Sequence, residues 1–264
     1  IAEVAAIGRK LGVPLIMDNT AAHGLCRPFE HGASIIASSC TKYIGGHGNS
    51  IGGIIIDSGR FDWEANAKRF PMLNQPDPSY HGAVWTEAVK PLGPIAYIMK
   101  ARVTLLRDIG PAMSPFNAFM FLNGLETRPL RMERHCANAA AVADYLSGND
   151  KVTKVIYTKH MSGEMRRRAD TYLKGGFGGL VGFELKGGLE AGRRFIDSLQ
   201  LFYHLANIGD ARSLAIHPAS TTHQQLSAEE QLATGVTENY VRLSVGLEHI
   251  DDLKADLDQA LAAA

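Results

Sequence analysis

Three short apolar runs near the start of the chain, Val13–Met17, Ala33–Ser38 and Ile51–Asp57, most constrain what it can fold into. They show little polar alternation, the pattern of strands buried on both faces of an α/β sheet. The first two stop at polar clusters, Asp18-Asn19-Thr20 and Ser39-Cys40-Thr41-Lys42. In open α/β sheets the carboxyl ends of the strands are where ligands bind. Upstream, Ile1, Val4, Ala5, Ile7 and Leu11 recur at helical spacing and Gly12 offers a stop, so a helix is expected to feed the first strand. A helix already under way at residue 1 leads to the expectation that the chain starts inside a fold.

Residues 61–85 carry Pro71, Pro76 and Pro78 among five aromatic side chains, Phe61, Trp63, Phe70, Tyr80 and Trp85, and read as a long ordered loop. Helices are expected over 91–108, over 128–146 as a bridge between domains, over 189–200 and over 248–262. Strands are expected over 151–157, 180–185 and 240–245. In the last helix Ile250, Leu253, Leu257 and Leu261 form one stripe, and Glu248, Asp251 and Asp252 suit the dipole of its first turn. The expected organisation is a larger, mostly parallel α/β domain with its interdomain helix over 1–144, followed by a smaller α+β domain over 145–264.

Basic and acidic side chains number 27 each, so the net charge is zero and nothing electrostatic calls for nucleic acid or an anionic membrane. No apolar run approaches the roughly 18–20 residues of a membrane span. The three cysteines, Cys26, Cys40 and Cys136, have no paired spacing. They argue against a disulfide framework and a zinc site, and fit a reducing, cytoplasmic compartment.

The segment from Asp18 to Gly48 offers the groups that pyridoxal phosphate (PLP) chemistry needs. A lysine amine must condense with the cofactor aldehyde, an acid must keep the pyridine nitrogen protonated, and hydroxyl and N–H donors must hold the phosphate. Lys42 follows a buried strand, Asp18 ends a neighbouring one, and Ser39 and Thr41 flank Lys42 with hydroxyls. Gly45, Gly46 and Gly48 permit a tight backbone turn. A lysine after a strand is ordinarily solvated, and an aspartate there is ordinarily a turn former, so spacing alone leaves the reading open. Gly46-His-Gly48-Asn-Ser-Ile-Gly52 does not meet the dinucleotide pattern, and no GK[ST] follows to make a P-loop. His47, His217, His223 and His249 lack paired ligand spacing and receive no role; His217 and His223 read as framework near the substrate.

The string Asp18-Asn-Thr, Cys26-Arg-Pro-Phe-Glu-His-Gly-Ala and Ser39-Cys-Thr-Lys-Tyr-Ile-Gly-Gly-His-Gly48 resembles the PLP segment of the Cys/Met-metabolism enzymes. The resemblance runs on through Ser114–Phe119, Gly124–His135, Gly209–His223 and Val241–Glu248. It implies fold-type I architecture, Lys42 as the Schiff-base lysine, Asp18 as the pyridinium partner, and Ser39 and Thr41 as phosphate-binding hydroxyls. It further implies that Arg242 grips the substrate α-carboxylate, with the backbone of Ser213 nearby; without it, Arg242 reads as a strand-end surface charge. A homotetramer built as a dimer of dimers is also implied. The resemblance also leads to the expectation that the family's N-terminal region, with its subunit arm, phosphate loop and aromatic ring over the cofactor, is missing from this chain.

Within the family, His47–Gly53 and Phe70–His81 are similar to the O-acetylhomoserine sulfhydrylases (aminocarboxypropyltransferases) of methionine biosynthesis. Arg212 precedes Ser213 where cystathionine-handling relatives often carry an acid, and a cation there does not complement a distal ammonium. The implied reaction is γ-replacement: an amino-acid substrate, O-acetyl-L-homoserine, and sulfide or a thiol give homocysteine or its thioether and acetate. The alternatives are a γ-lyase or γ-synthase of the same family, and a non-catalytic fragment that keeps the fold.

Overall fold

The computed structural model describes residues 1–264. Two compact units divide the chain: residues 1–20, 27–40 and 52–119 form the first, and residues 21–26, 41–51 and 120–264 the second. The division expected after residue 144 falls inside a helix that runs from Pro115 to Ser147.

The first unit opens with α1 (Ala2–Leu11), closed by Gly12 in the left-handed region at φ 64°, where its N–H reaches the Arg9 carbonyl. Its sheet has the order β1 (Ile16–Asp18), β2 (Ile35–Ser39), β3 (Gly53–Asp57). β1 and β2 are parallel with Asp18 opposite Ala37; β2 and β3 are antiparallel with Ser39 opposite Gly53. This sheet is therefore mixed, one parallel pair and one antiparallel pair. Only β2 is buried as expected, with Ile35 and Ile36 in the interior. Ile16 on β1 and Ile54, Ile55 and Ile56 on β3 are exposed, because β1 and β3 are the outer strands of a three-stranded sheet. On α1, Val4, Ile7 and Leu11 are likewise exposed.

The stretch expected as a long ordered loop is ordered around its aromatics and includes short helices. Short helices α2 (Pro71–Asn74), α3 (Trp85–Ala88) and α4 (Ala96–Lys100) surround a core of Ile35, Trp63, Leu73, Trp85 and Val89. Trp63 stacks on Tyr97 with centroids 5.4 Å apart. The Trp85 indole N–H donates to Asp77 at 2.9 Å, and Lys100 pairs with the same carboxylate, holding it well below the usual range at about 2.

The second unit is built on α5 (Pro115–Ser147), whose first residues belong to the first unit. It begins thirteen residues before the expected start at Arg128. Ser114 accepts the Ala118 N–H, and Pro115 suits the first turn. Pro129 lies inside this helix and removes one N–H, the donor that would bond the Leu125 carbonyl.

The rest of the unit comprises β4 (Val152–Ile156), α6 (Gly163–Tyr172), β5 (Leu180–Leu185), α7 (Gly188–Ser198), β6 (Tyr203–His204), β7 (Leu214–Ile216), α8 (Ala228–Ala233), β8 (Tyr240–Ser244) and α9 (Ile250–Ala263). The strand order is β4-β5-β8-β7-β6, antiparallel except for β6 and β7. Strand alternation sends Val181, Phe183, Leu185, Val241 and Leu243 into one fully buried cluster with α5, α7 and α9 side chains. Each such Leu or Phe contributes about 1.5–3 kcal/mol by leaving water. The same alternation turns Arg242, opposite Gly182 and Ile216, to the other face of the sheet.

Candidate functional site

In the first unit, Asp18 and Ser39 close the parallel strands β1 and β2 at their carboxyl ends. Thr20 joins these ends: its hydroxyl accepts the Ser39 N–H at 2.9 Å, and its own N–H donates to Asp18 Oδ1 at 2.8 Å. The Thr20 hydroxyl and N–H together hold the Asp18 carboxyl below its ordinary value, so this exposed group is an anion at neutral pH.

The chain passes from Ser39 into a wide helical turn, Cys40–Ile44, which carries Thr41 and Lys42 in the second unit. Lys42 departs from helical geometry, with φ −88° and ψ −127°. Beyond it Gly46 adopts φ 75°, and a Cβ there would lie 2.2 Å from Arg131 Nη1, so only glycine fits. α5 clamps this turn from one helical stripe. The buried Arg131 guanidinium donates to the carbonyls of Tyr43 (2.9 Å), Ile44 (3.1 Å) and Gly124 (2.6 Å). Gly124 lies so close that an added Cβ would sit 2.4 Å from the Ile44 carbonyl. One turn further, His135 meets the Tyr43 ring edge-on at 5.3 Å and its Nδ1 bonds the Val245 carbonyl. Burial pushes the Tyr43 phenol up to about 12 and pulls the His135 imidazole down, so both are neutral near pH 7.

The Lys42 amine, half-buried, donates to the side-chain oxygen of Asn207. Arg242 Nη2 approaches the carbonyl of the same Asn207 at 3.5 Å. The structure therefore brings Lys42 and Arg242 to one residue within the second unit. Burial pulls the Arg242 guanidinium below its ordinary value, while nearby Tyr240 and Tyr43 oppose that shift. Ser213, fully buried, has both its N–H and its hydroxyl engaged by the Glu248 carboxylate, at 2.6 and 2.8 Å, and its hydroxyl oxygen accepts the Gly246 N–H. Glu248 precedes α9 rather than sitting in its first turn, because His249 is the N-cap and bonds the Asp251 N–H. Asp251 and Asp252 do occupy that turn.

Of the remaining histidines, His217 is buried between the Ser220 hydroxyl and the Glu238 carbonyl at 2.8 and 2.7 Å. No three His, Cys, Asp or Glu side chains converge as a metal site. All three cysteines are buried and none forms a disulfide, and burial raises the thiols of Cys40 and Cys136. Arg212 is exposed and lies over the Tyr203 ring, 5.3 Å from its centroid. Asn207, Arg131 and Glu248 escaped the sequence reading as parts of the site. Their partners are 165, 88 and 35 residues away in the chain, and no local pattern marks such pairings.

Residues 1–262 match the Cys/Met metabolism PLP-dependent enzyme family. The chain is 53% identical over 268 residues to an O-acetyl-L-homoserine sulfhydrylase of Leptospira meyeri, covering 99% of this chain and 60% of that protein. It is 49% identical to a homocysteine synthase of Schizosaccharomyces pombe, covering 99% of this chain and 61% of that one. A Campylobacter jejuni crystal structure, described as an O-acetylhomoserine (thiol)-lyase with a pyridoxyl-lysine phosphate, superposes with a TM-score of 0.91. It is 40% identical, over 99% of this chain and 62% of that one. This chain thus spans about three fifths of the length of the curated relatives it matches. A match over nearly every residue, with the lysine turn and Arg242 in a fold shared at that similarity, places the chain in the Cys/Met metabolism PLP-dependent enzyme family.

Proposed function

We propose that the protein to which this chain belongs catalyses γ-replacement on O-acetyl-L-homoserine, with sulfide or a thiol as the incoming nucleophile. The observation that carries the reading is the meeting of Lys42 and Arg242 at Asn207, in a chain so similar to proteins named for this activity.

The residues fit PLP by the chemistry of their donor set. Lys42 supplies an amine for the aldehyde, and Asp18, held anionic by Thr20, supplies a carboxylate for the pyridinium. Ser39 and Thr41 supply hydroxyls for the phosphate. When bound, PLP supplies an electron sink for negative charge developing at the substrate α-carbon. The Lys42 amine takes a proton from Cα and then from Cβ, and returns protons to Cβ and Cα once the new bond at Cγ has formed, as base and acid. Arg242 holds the α-carboxylate through its planar fork and so fixes which Cα bond faces Lys42. The Cγ–O bond breaks with departure of acetate, and the sulfur of hydrosulfide forms the new bond at Cγ. Asp18 remains ionised throughout. The exposed position of Arg212 over Tyr203 offers no anion for the distal ammonium of a larger substrate such as cystathionine.

Product analysis on the full-length protein tests this reading. With O-acetylhomoserine, homocysteine and acetate are expected in equal amounts only when sulfide is present. Release of 2-oxobutyrate and ammonia without sulfide would instead assign a γ-lyase, and cystathionine formed with cysteine would assign a γ-synthase. Arg242→Leu is expected to raise KM for O-acetylhomoserine by roughly 10²-fold or more, the loss of a charge-assisted bidentate contact. An unchanged KM in steady-state assays would remove Arg242 from the carboxylate role.

A further inference from the structure

We propose that Asn207 is a positioning residue that aims the amine of Lys42 by accepting a hydrogen bond from it. This rests on the reading of Lys42 as the working amine. The Lys42 ammonium can only donate, so the Asn207 atom facing it is the carboxamide oxygen rather than the nitrogen. The main chain of Asn207 is fixed by its N–H, which donates to the Leu205 carbonyl at 3.0 Å, and an added Cβ on Gly48 would approach the carboxamide nitrogen to 3.2 Å. Gly48, at φ 62°, thus leaves room for the amide without a side chain of its own.

An amide is suited to this task. It offers an acceptor oxygen but no charge, so it orients the amine without binding it into an ion pair. A lysine side chain has four rotatable bonds, and one fixed acceptor removes most of the positions its tip can otherwise sample. The second role of Asn207 uses a different atom. Arg242 approaches the backbone carbonyl, which a side-chain substitution leaves in place. The two roles are therefore separable by mutation: the side chain acts on the amine, and the main chain lies beside the carboxylate-binding arginine.

The test uses the full-length protein in three forms: wild type, Asn207→Leu, which keeps the size and loses the acceptor, and Asn207→Asp, which keeps an oxygen in place. In the PLP-free proteins, acetylation of Lys42 by acetic anhydride is measured by peptide mapping against the exposed Lys90 as internal standard. With Asn207→Leu, Lys42 labelling is expected to rise severalfold, because the amine is released. Capture of added PLP at Lys42, trapped with borohydride, and kcat are expected to fall about tenfold, the scale of one hydrogen bond. KM for O-acetylhomoserine should stay within about twofold, since the backbone carbonyl beside Arg242 is retained. Asn207→Asp should keep Lys42 labelling at or below the wild-type level. Equal labelling in all three proteins overturns the proposal, as does a rise in both variants or a joint loss of kcat and KM with a lowered melting temperature. Labelling that behaves as expected in a wild type that captures no PLP leaves Asn207 as the amine's anchor and rejects the cofactor reading instead.

Discussion

Replacing Lys42 with alanine in the full-length protein is expected to lower kcat for homocysteine formation by about 10³-fold or more, with little change in stability. The size of the loss follows from two tasks resting on one amine, cofactor attachment and proton transfer; the second alone is worth about 10²–10⁴. Stability should change little because the Lys42 side chain is half-buried and makes one polar contact, to Asn207. A melting temperature within about 2 °C of wild type is the expected companion result. Lys42→Arg should not restore activity, since a guanidinium stays protonated and cannot condense with an aldehyde. Steady-state kinetics with purified, PLP-supplied protein check both variants. Turnover of Lys42→Ala within tenfold of wild type would falsify the assignment of the amine.

The second large effect is expected at Arg131. Its guanidinium is buried and donates to three main-chain carbonyls, two of them in the turn just after Lys42. Arg131→Met fills much of the same volume but leaves those carbonyls without a donor. Each unsatisfied buried acceptor costs about 1–3 kcal/mol, and three are left here. A destabilisation of about 3–5 kcal/mol corresponds to a melting temperature lower by roughly 10 °C. Because the released carbonyls belong to Tyr43 and Ile44, cofactor capture at Lys42 should weaken with it. Gly124→Ala strikes the same contact from the other side, by driving a methyl to 2.4 Å from the Ile44 carbonyl. The two variants should therefore be non-additive in thermal and denaturant melts, since both remove one clamp. Additive losses would mean that the helix and the turn are held independently.

Local chemistry made much of the framework legible in advance. Gly12 marks the end of α1 because a left-handed residue closes a helix without a side-chain penalty. The strands around Asp18, Ser39, Phe183 and Arg242 lie where short β-branched and aromatic runs place them. Burial was harder to read. β3 has the composition of an interior strand, yet Ile54, Ile55 and Ile56 are exposed, because burial depends on which elements lie beside a strand and not on its own composition. β6 and β7 were missed, since two or three residues carry no measurable periodicity.

The sequence by itself determined that Lys42 stands just after a strand, with hydroxyls on either side and glycines beyond, and motif resemblance tied that lysine to PLP. Those are properties of neighbours in the chain, fixed by spacing and backbone freedom. Only the tertiary structure decided what the amine touches. Asn207 reaches it across 165 residues, and Arg131 holds its turn across 87 and 88. Such contacts arise when folded elements bring side chains together, and the need of a buried donor or acceptor for a partner selects them. The tertiary structure also engaged Ser213 with Glu248 and set Arg242 beside a main-chain carbonyl of Asn207.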